Sequence, residues 1–273
     1  MLEPLPAVEI PERPPNAYAR HLPSGAAFGW LAAGWQDLRN TPIPSIAYGV
    51  VIFTASLFII WAMVEADLPW LIFPALSSFL VVGPVLAIGL YQKSRSLAAG
   101  KAVQLSHMVF VRPASGGQLI FAGLLLCLLV VLWLRAADLL YALFFGLLPF
   151  PGFDHILAQL LTTPRGWMLI ATGSAVGGLF AAFAMAISLF SIPMLLSERT
   201  DALTALGTSF ALTTHNLRAV IPWSAIVVAG FALSVITGLV GLIIIFPLLG
   251  HGTWHAWQAI RPDFVQSNQG IKI

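Results

Sequence analysis

Two histidines near the C-terminus are the residues whose type and spacing most suggest chemistry. His251 and His255 stand four residues apart in HGTWH, a spacing that places both imidazoles on one face of a helix. This geometry suits two metal ligands or a pair facing a haem. The alternative is that both rings hydrogen-bond lipid headgroups or neighbouring backbone, with Trp254 and Trp257 in an aromatic belt. No acid separates the histidines, so the pattern of HExxH hydrolases is absent.

A charged pair inside an apolar run is the second candidate site. Arg135 and Asp138 interrupt the otherwise apolar residues 117–150. A helix entering the membrane at Gly117 rises about 27 Å by Arg135, which reaches the far boundary of a hydrocarbon core about 30 Å thick. Charges within a membrane are candidates for a buried ion pair or relay. The calculated depth favours an i,i+3 pair at the interface instead.

The composition determines the class of protein. Apolar residues make up 59% of the 273 residues and charged residues 9%, whereas a soluble domain carries about 25% charge. We therefore expect an integral membrane protein in contact with the lipid bilayer. The net charge of +2 and the single cysteine suggest neither a nucleic-acid partner nor a disulfide framework. The sequence contains no phosphate loop, nucleophile elbow or paired-carboxylate site, so we expect a protein that is not an enzyme and needs no cofactor.

The stretch 166–191 carries small residues at every fourth position. Burial of apolar surface cannot by itself drive helices together in lipid, and small residues allow the close backbone approach that dispersion rewards. This stretch is therefore predicted to be the central helix of a transmembrane bundle. One stripe comprises Gly173, Gly177 and Ala181, and the adjacent stripe comprises Ser174, Gly178, Ala182 and Ala186. The predicted packing positions are Gly173, Gly177, Gly178 and Ala181.

Hydropathy predicts an all-α, multi-pass transmembrane bundle with about six spans. The spans begin near residues 44, 70, 117, 166 and 219, and the last apolar run of about 39 residues is divided in two by a turn at Thr237-Gly238, since a span needs about 20 residues. Two amphipathic helices, 24–39 and 197–218, are expected at the membrane interface. Ser24 and Thr200 are their expected N-caps.

Positive charge predicts the orientation. The loop after the second span contains Lys93, Arg95, Lys101 and Arg112 and no acid, and short basic loops stay in the cytoplasm. The N-terminus is then cytoplasmic as well. We divide the chain into a proline-rich cytoplasmic arm (1–22), one transmembrane helical domain (23–261) and a C-terminal tail (262–273).

Two parts of the chain resemble each other. Residues 37–47 match 216–225 with one gap, and 84–91 match 247–254 without gaps. Each copy comprises an amphipathic helix followed by a membrane hairpin whose returning helix contains a proline, Pro84 or Pro247. The pattern suggests a parallel internal repeat.

Four segments carry a resemblance to a known family. They are 34–39 (GWQDLR), 133–145 (WLRAADLLYALFF), 191–196 (SIPMLL) and 247–257 (PLLGHGTWHAW). Together they resemble DUF2189, a family of bacterial integral membrane proteins. The family has no established activity, and some members carry a cytochrome c oxidase label. The resemblance thus implies a multi-pass protein of the bacterial inner membrane and a loose respiratory association.

Three functional hypotheses follow. The leading one is a non-catalytic membrane subunit or accessory protein of a larger membrane complex, with a respiratory oxidase as the candidate complex. The second is a small-solute transporter or channel, which a water-accessible cavity near Pro84 and Pro247 would support. The third is a haem- or copper-handling protein that uses His251 and His255.

Overall fold

A computed structural model describes residues 16–68, 71–146 and 152–261, and every regular element in these ranges is a helix. The helices are α1 (Ala26–Asn40), α2 (Pro42–Glu65), α3 (Ile72–Leu86), α4 (Ile88–Ala98), α5 (Leu105–Val109), α6 (Gly116–Phe145), α7 (Phe153–Thr162), α8 (Pro164–Ser188), α9 (Ser191–Ser197), α10 (Ala202–His215), α11 (Leu217–Ile236) and α12 (Leu242–Ile260). The predicted proline-rich arm falls largely on residues 1–15, and the C-terminal tail on 262–273; both lie outside the described residues.

Within the described residues, five segments are long and apolar enough to cross a membrane: Pro42–Glu65, Ile72–Ala98, Gly116–Phe145, Pro164–Ser197 and Leu217–Ile236. They confirm the all-α, multi-pass architecture. The predicted turn at Thr237-Gly238 is present, and Gly238 has φ +63°, which glycine adopts without steric cost. The helix after the turn, α12, has 19 residues. It falls short of the apolarity of a span because its second half carries the two histidines.

Pro84 divides the second predicted span. A proline inside a helix lacks an N–H donor and its ring clashes with the preceding turn. Helix α3 accordingly ends at Leu86, and α4 begins at Ile88 and continues to Ala98. Lys93 and Arg95, predicted in a loop, therefore lie on a helix. This difference places Lys93 in the interior, where it is 1% exposed.

The helix with the most buried residues is α12 and not the predicted central helix α8, although the segment Pro164–Ser197, which contains α8, is the most buried of the five spans. Eleven residues of α12 are buried, against four of the 25 residues of α8. Helix α12 packs against α1, α2, α4 and α11. Glycines allow this close packing of α12. A Cβ added to Gly49 of α2 would overlap the Ile243 backbone of α12, and a Cβ added to Gly252 of α12 would overlap the Trp223 ring.

Helix α1 has two different faces. Ala27, Trp30, Gly34 and Asp37 are buried, and a Cβ added to Gly34 would lie 2.6 Å from the Gly252 amide nitrogen of α12. The apolar residues Phe28 and Trp35 are exposed on the other side, whereas Leu38 is buried. Thus α1 is attached to the bundle through a face that combines small, polar and large apolar residues.

Both predicted N-caps are displaced by one residue. The residue before α1 is Gly25, which makes no side-chain capping bond, instead of Ser24. The cap of α10 is Asp201, whose carboxylate accepts a hydrogen bond from the Thr204 amide at 2.8 Å, instead of Thr200. A carboxylate at an N-cap also interacts favourably with the helix dipole.

The described end of the N-terminal segment is bound to the body of the protein. The Arg20 amide donates to the Asn216 side chain at 2.8 Å, and Asn216 in turn donates to the Tyr18 carbonyl at 2.7 Å. The Arg20 guanidinium donates to the carbonyls of Ile260 and Arg261 at the end of α12. Residues 18–20 thus connect the α10–α11 junction to the end of α12.

The helix order is the same in the two segments of the proposed repeat. Helix α1 precedes α2 and the proline-containing pair α3–α4, and α10 precedes α11 and the proline-containing α12. The matched segments 84–91 and 247–254 are neighbours, since a Cβ on Gly250 would lie 2.6 Å from the Leu90 side chain.

Candidate functional site

His251 lies at the centre of a buried polar cluster. Its side chain is completely buried, and both ring nitrogens have partners from other helices. Nε2 lies 2.9 Å from the Ser45 hydroxyl of α2, and Nδ1 lies 2.8 Å from the Ser94 hydroxyl of α4. One imidazole therefore joins three helices at the place where α12 is most tightly enclosed.

Lys93 lies at one end of this cluster. Its ammonium nitrogen donates to the Ser45 hydroxyl at 2.6 Å and to the Thr41 carbonyl at 2.7 Å. Thr41 is the residue between α1 and α2, so this lysine holds the junction of the two helices. A buried lysine is costly unless its donors are satisfied.

Asp37 and His255 form the other end of the cluster. His255 Nε2 lies 2.9 Å from the Asp37 carboxylate, and the Ser94 hydroxyl lies beside this carboxyl group. Burial raises the pKa of Asp37, but the hydrogen bonds from His255 and Ser94 outweigh it, and the resulting pKa lies below the usual value. The His255 side chain is 30% exposed, so this end reaches the surface.

Six side chains lie in one row, which we call the polar chain: Lys93, Ser45, His251, Ser94, Asp37 and His255. Hydrogen bonds join Lys93 to Ser94 through Ser45 and His251 and join Asp37 to His255. The direction of the row follows from the chemistry of each group. An ammonium can only donate, so the hydroxyl proton of Ser45 is left for His251 Nε2. A neutral His251 then carries its proton on Nδ1 and donates to Ser94, which donates to Asp37. Every link runs from the cation towards the carboxylate.

Only the two histidines of the polar chain were predicted as site residues. Lys93 was interpreted as a loop cation, because the sequence does not show that α4 continues past Tyr91. A usable signal was the spacing of Ala27, Trp30, Gly34 and Asp37, which places an acid on the small-residue face of α1. That face packs on α12, so Asp37 meets His255.

The metal or haem site at His251 and His255 stays a prediction, and in this arrangement the two rings have partners within the protein. Both nitrogens of His251 and Nε2 of His255 are hydrogen-bonded within the protein. Within residues 16–68, 71–146 and 152–261, no three histidine, cysteine or acidic side chains come together in a way that could hold a metal ion. Trp254 and Trp257 are buried in the core instead of forming an aromatic belt.

The stripe of small residues on α8 borders an apolar groove of about 1090 Å³ between α3, α6, α7 and α8. All four predicted packing residues, Gly173, Gly177, Gly178 and Ala181, line it. A Cβ on Gly177 would lie 2.8 Å from the Trp133 ring, whereas Cβ atoms on Gly173 and Gly178 would meet no atom within 4 Å. One residue of the stripe is thus packed within the chain, and two face open space.

Trp133 forms the floor of this groove. Its indole N–H donates to the Ser77 hydroxyl at 2.8 Å, and its ring lies 5.6 Å from that of Phe180. The indole therefore fixes the distance between α3, α6 and α8. Contacts among the helices of this chain therefore maintain the shape of the groove.

Arg135 and Asp138 lie near one end of the groove. They form an i,i+3 pair with an N–O distance of 3.4 Å, and their side chains are 78% and 37% exposed. Asp138 also borders the groove. The pair is exposed, and it gives one end of the groove a polar boundary.

The apolar helices and the interior polar chain define this chain as a multi-pass, all-α integral membrane protein. A family model described as "Predicted integral membrane protein (DUF2189)" matches residues 71–197. The resemblance is thereby confirmed over α3 to α9. No curated protein and no solved structure matches the chain.

The family match covers the groove and one part of the polar chain. It includes Lys93 and Ser94 of α4 as well as the small residues of α8. Asp37, Ser45, His251 and His255 lie outside the matched range. The description of the family names no activity, cofactor or partner.

Proposed function

We propose that this protein is a non-catalytic membrane subunit that receives a transmembrane helix of a partner protein in the groove between α3, α6 and α8. The observation that carries this proposal is the open space over Gly173 and Gly178, where an added Cβ would meet no atom of this chain. Small residues on the membrane-embedded surface of a helix permit the backbone of a second helix to approach closely. The remaining groove wall is apolar and suits a helix of membrane-spanning composition.

A non-catalytic role is also supported by the polar chain. Ser45 lies between Lys93 and His251, residue types that activate a serine nucleophile in hydrolases. Yet Ser45 and His251 are completely buried, so no substrate reaches the hydroxyl. The hydrogen bonds among Lys93, Ser45 and His251 therefore connect parts of the protein to each other.

The structure gives less support to the other two hypotheses. Next to Pro84 there is a void of only about 70 Å³, lined mainly by apolar side chains, which is too small for a solute pathway. Three of the four imidazole nitrogens of His251 and His255 are hydrogen-bonded to Ser45, Ser94 and Asp37. A partner complex in the bacterial inner membrane, with the N-terminus in the cytoplasm, is part of the proposal; the family resemblance and the basic residues of α4 support it.

The test is a native pull-down in mild detergent with three proteins: wild type, Gly178→Leu and Ala175→Leu. Gly178→Leu fills the groove. Ala175→Leu makes a comparable change on an exposed residue of the same helix that does not line the groove. We expect wild type and Ala175→Leu to retain one stoichiometric membrane partner and Gly178→Leu to lose at least about 90% of it.

Mass spectrometry of the retained protein tests the respiratory assignment. Oxidase subunits in the wild-type sample would support it, and another membrane complex would replace it. If Gly178→Leu kept the partner as well as wild type, the groove would not be the binding surface. A wild-type protein that purified alone at native expression would overturn the subunit proposal itself.

A further inference from the structure

We propose that the polar chain is a proton relay between Lys93 in the interior and the Asp37–His255 pair at the surface, and that His251 changes tautomer whenever a proton passes. The observations behind this proposal are the hydrogen bonds that run from Lys93 through Ser45 and His251 to Ser94, the hydrogen bond between His255 and Asp37, and the position of the Ser94 hydroxyl beside the Asp37 carboxylate. This function is separate from the groove, which lies on other faces of the bundle.

The geometry provides the first three transfers with short hydrogen bonds. The heavy-atom distances are 2.6 Å from Lys93 to Ser45, 2.9 Å from Ser45 to His251 and 2.8 Å from His251 to Ser94. Distances of this size are those of well-formed hydrogen bonds. The groups that must move protons are also held in place, because Ser45, Lys93, Ser94 and His251 are each at most 1% exposed.

The transfer balances without any outside reagent other than water. Lys93 gives a proton to Ser45 Oγ, and Ser45 gives its own proton to His251 Nε2. His251 gives its Nδ1 proton to Ser94 Oγ, and Ser94 gives its proton to the Asp37 carboxylate. The Asp37–His255 pair then releases one proton to water.

After this release Lys93 is a neutral amine, and every interior link is reversed. His251 now carries its proton on Nε2 and donates to Ser45, while Ser94 donates to His251 Nδ1. Both arrangements satisfy Ser45, His251 and Ser94. The reversed row also removes the cost of a buried ammonium, so the polar chain has two self-consistent states.

The ionisable groups around the row come from four helices. Helix α1 contributes Asp37, α4 contributes Lys93, and α12 contributes His251 and His255. Helix α2 contributes Ser45 and also Tyr48, whose hydroxyl donates to the Leu86 carbonyl. The neighbouring Tyr91 of α4 lies beside Thr253 and is not a link in the row.

Nuclear magnetic resonance of the full-length protein in micelles, labelled with ¹⁵N in histidine and lysine, tests the relay. The ¹⁵N shifts of His251 report which ring nitrogen carries the proton, and the Nζ shift of Lys93 reports its charge. As the pH rises, we expect His251 to change from the Nδ1–H to the Nε2–H form with the same midpoint as Lys93. Such coupling is the signature of interacting sites.

Ser45→Ala and Ser94→Ala interrupt the row on either side of His251. In each variant we expect the midpoint of Lys93 and the tautomer change of His251 to separate by more than about one pH unit, or the tautomer change to disappear. Ser96→Ala is the matched control, because Ser96 lies on the same helix α4 and is also buried, but bonds only Gln92. It should behave as wild type.

Wild type alone can refute the proposal. If His251 kept one tautomer while Lys93 changed its charge, or if the two changed at unrelated pH values, the polar chain would be a static structural link. Circular dichroism of each variant confirms that the helices are intact. A Ser45→Ala protein that failed to fold would leave the wild-type and Ser94→Ala comparison to decide.

Discussion

The close approach of α1 to α12 predicts that alanine has opposite effects at two glycines of the same helix. A Cβ on Gly34 would lie 2.6 Å from the Gly252 amide nitrogen and 2.8 Å from the Leu248 carbonyl oxygen. Both neighbours are backbone atoms that cannot rotate away. A Cβ on Gly29, five residues earlier in α1, would meet no atom within 4 Å.

The magnitudes follow from two competing effects. Replacing glycine by alanine inside a helix is worth about 1 kcal/mol through backbone entropy, and both variants gain this term. Forcing an additional methyl group into a close-packed contact costs about 1–3 kcal/mol. Gly29→Ala should therefore be more stable than wild type by about 1 kcal/mol, and Gly34→Ala less stable than Gly29→Ala by about 1–3 kcal/mol.

The assay is equilibrium unfolding in mild detergent by increasing sodium dodecyl sulfate, with circular dichroism and tryptophan fluorescence as two probes. Trp30 of α1 packs edge-on to Trp223 of α11 at a centroid distance of 5.9 Å, so fluorescence reports the separation of α1 from the bundle. Equal stability of Gly34→Ala and Gly29→Ala would show that α1 does not contact α12 closely, and the polar chain would lose its support from Asp37.

Two further predictions concern the polar residues between α9 and α10. Asp201→Ala should destabilise the protein by about 1 kcal/mol through loss of the N-cap, whereas Thr200→Ala should change stability by less than about 0.5 kcal/mol; the same unfolding assay separates them, and equal losses would contradict the assignment of the cap. Burial raises the pKa of Glu198 to about 7, although Arg261 opposes the shift. Because the carboxyl group in the unfolded chain has an ordinary pKa of about 4.5, this contribution to stability is complete below that pH and is lost as the pH rises towards 7. Glu198→Gln should therefore show a smaller loss of stability across this pH range than wild type, and unchanged pH dependence would refute the assignment.

Hydropathy and turn chemistry predicted the helices well. The apolar runs gave the spans of α2, α6 and α11 within a few residues, because a membrane requires every backbone group to be bonded inside a long helix. Thr237-Gly238 identified the turn before α12, because glycine tolerates the positive φ found there. The helix starts were less well predicted, since neighbouring side chains such as Thr200 and Asp201 compete for one cap position.

Helix packing was predicted less well, because small residues permit close contact but do not choose the partner. Two stripes on α8 suggested the centre of the bundle, yet the closest approaches involve single glycines such as Gly34, Gly49 and Gly252. Each is an isolated glycine in the sequence. Which helix packs against each glycine depends on how distant parts of the chain fold together, such as Gly34 of α1 on Gly252 of α12.

The sequence by itself determined the medium of this protein, its helices and the face on which the two histidines stand, because these follow from hydropathy and helical periodicity. Only the tertiary structure decided what the histidines do. Residues from α1, α2 and α4 surround His251 and His255 and occupy three of their nitrogens. Lys93 is an interior group for the same reason. The sequence suggests a loop at this position, but the residue lies on α4, and its side chain is enclosed because α4 packs beside α12.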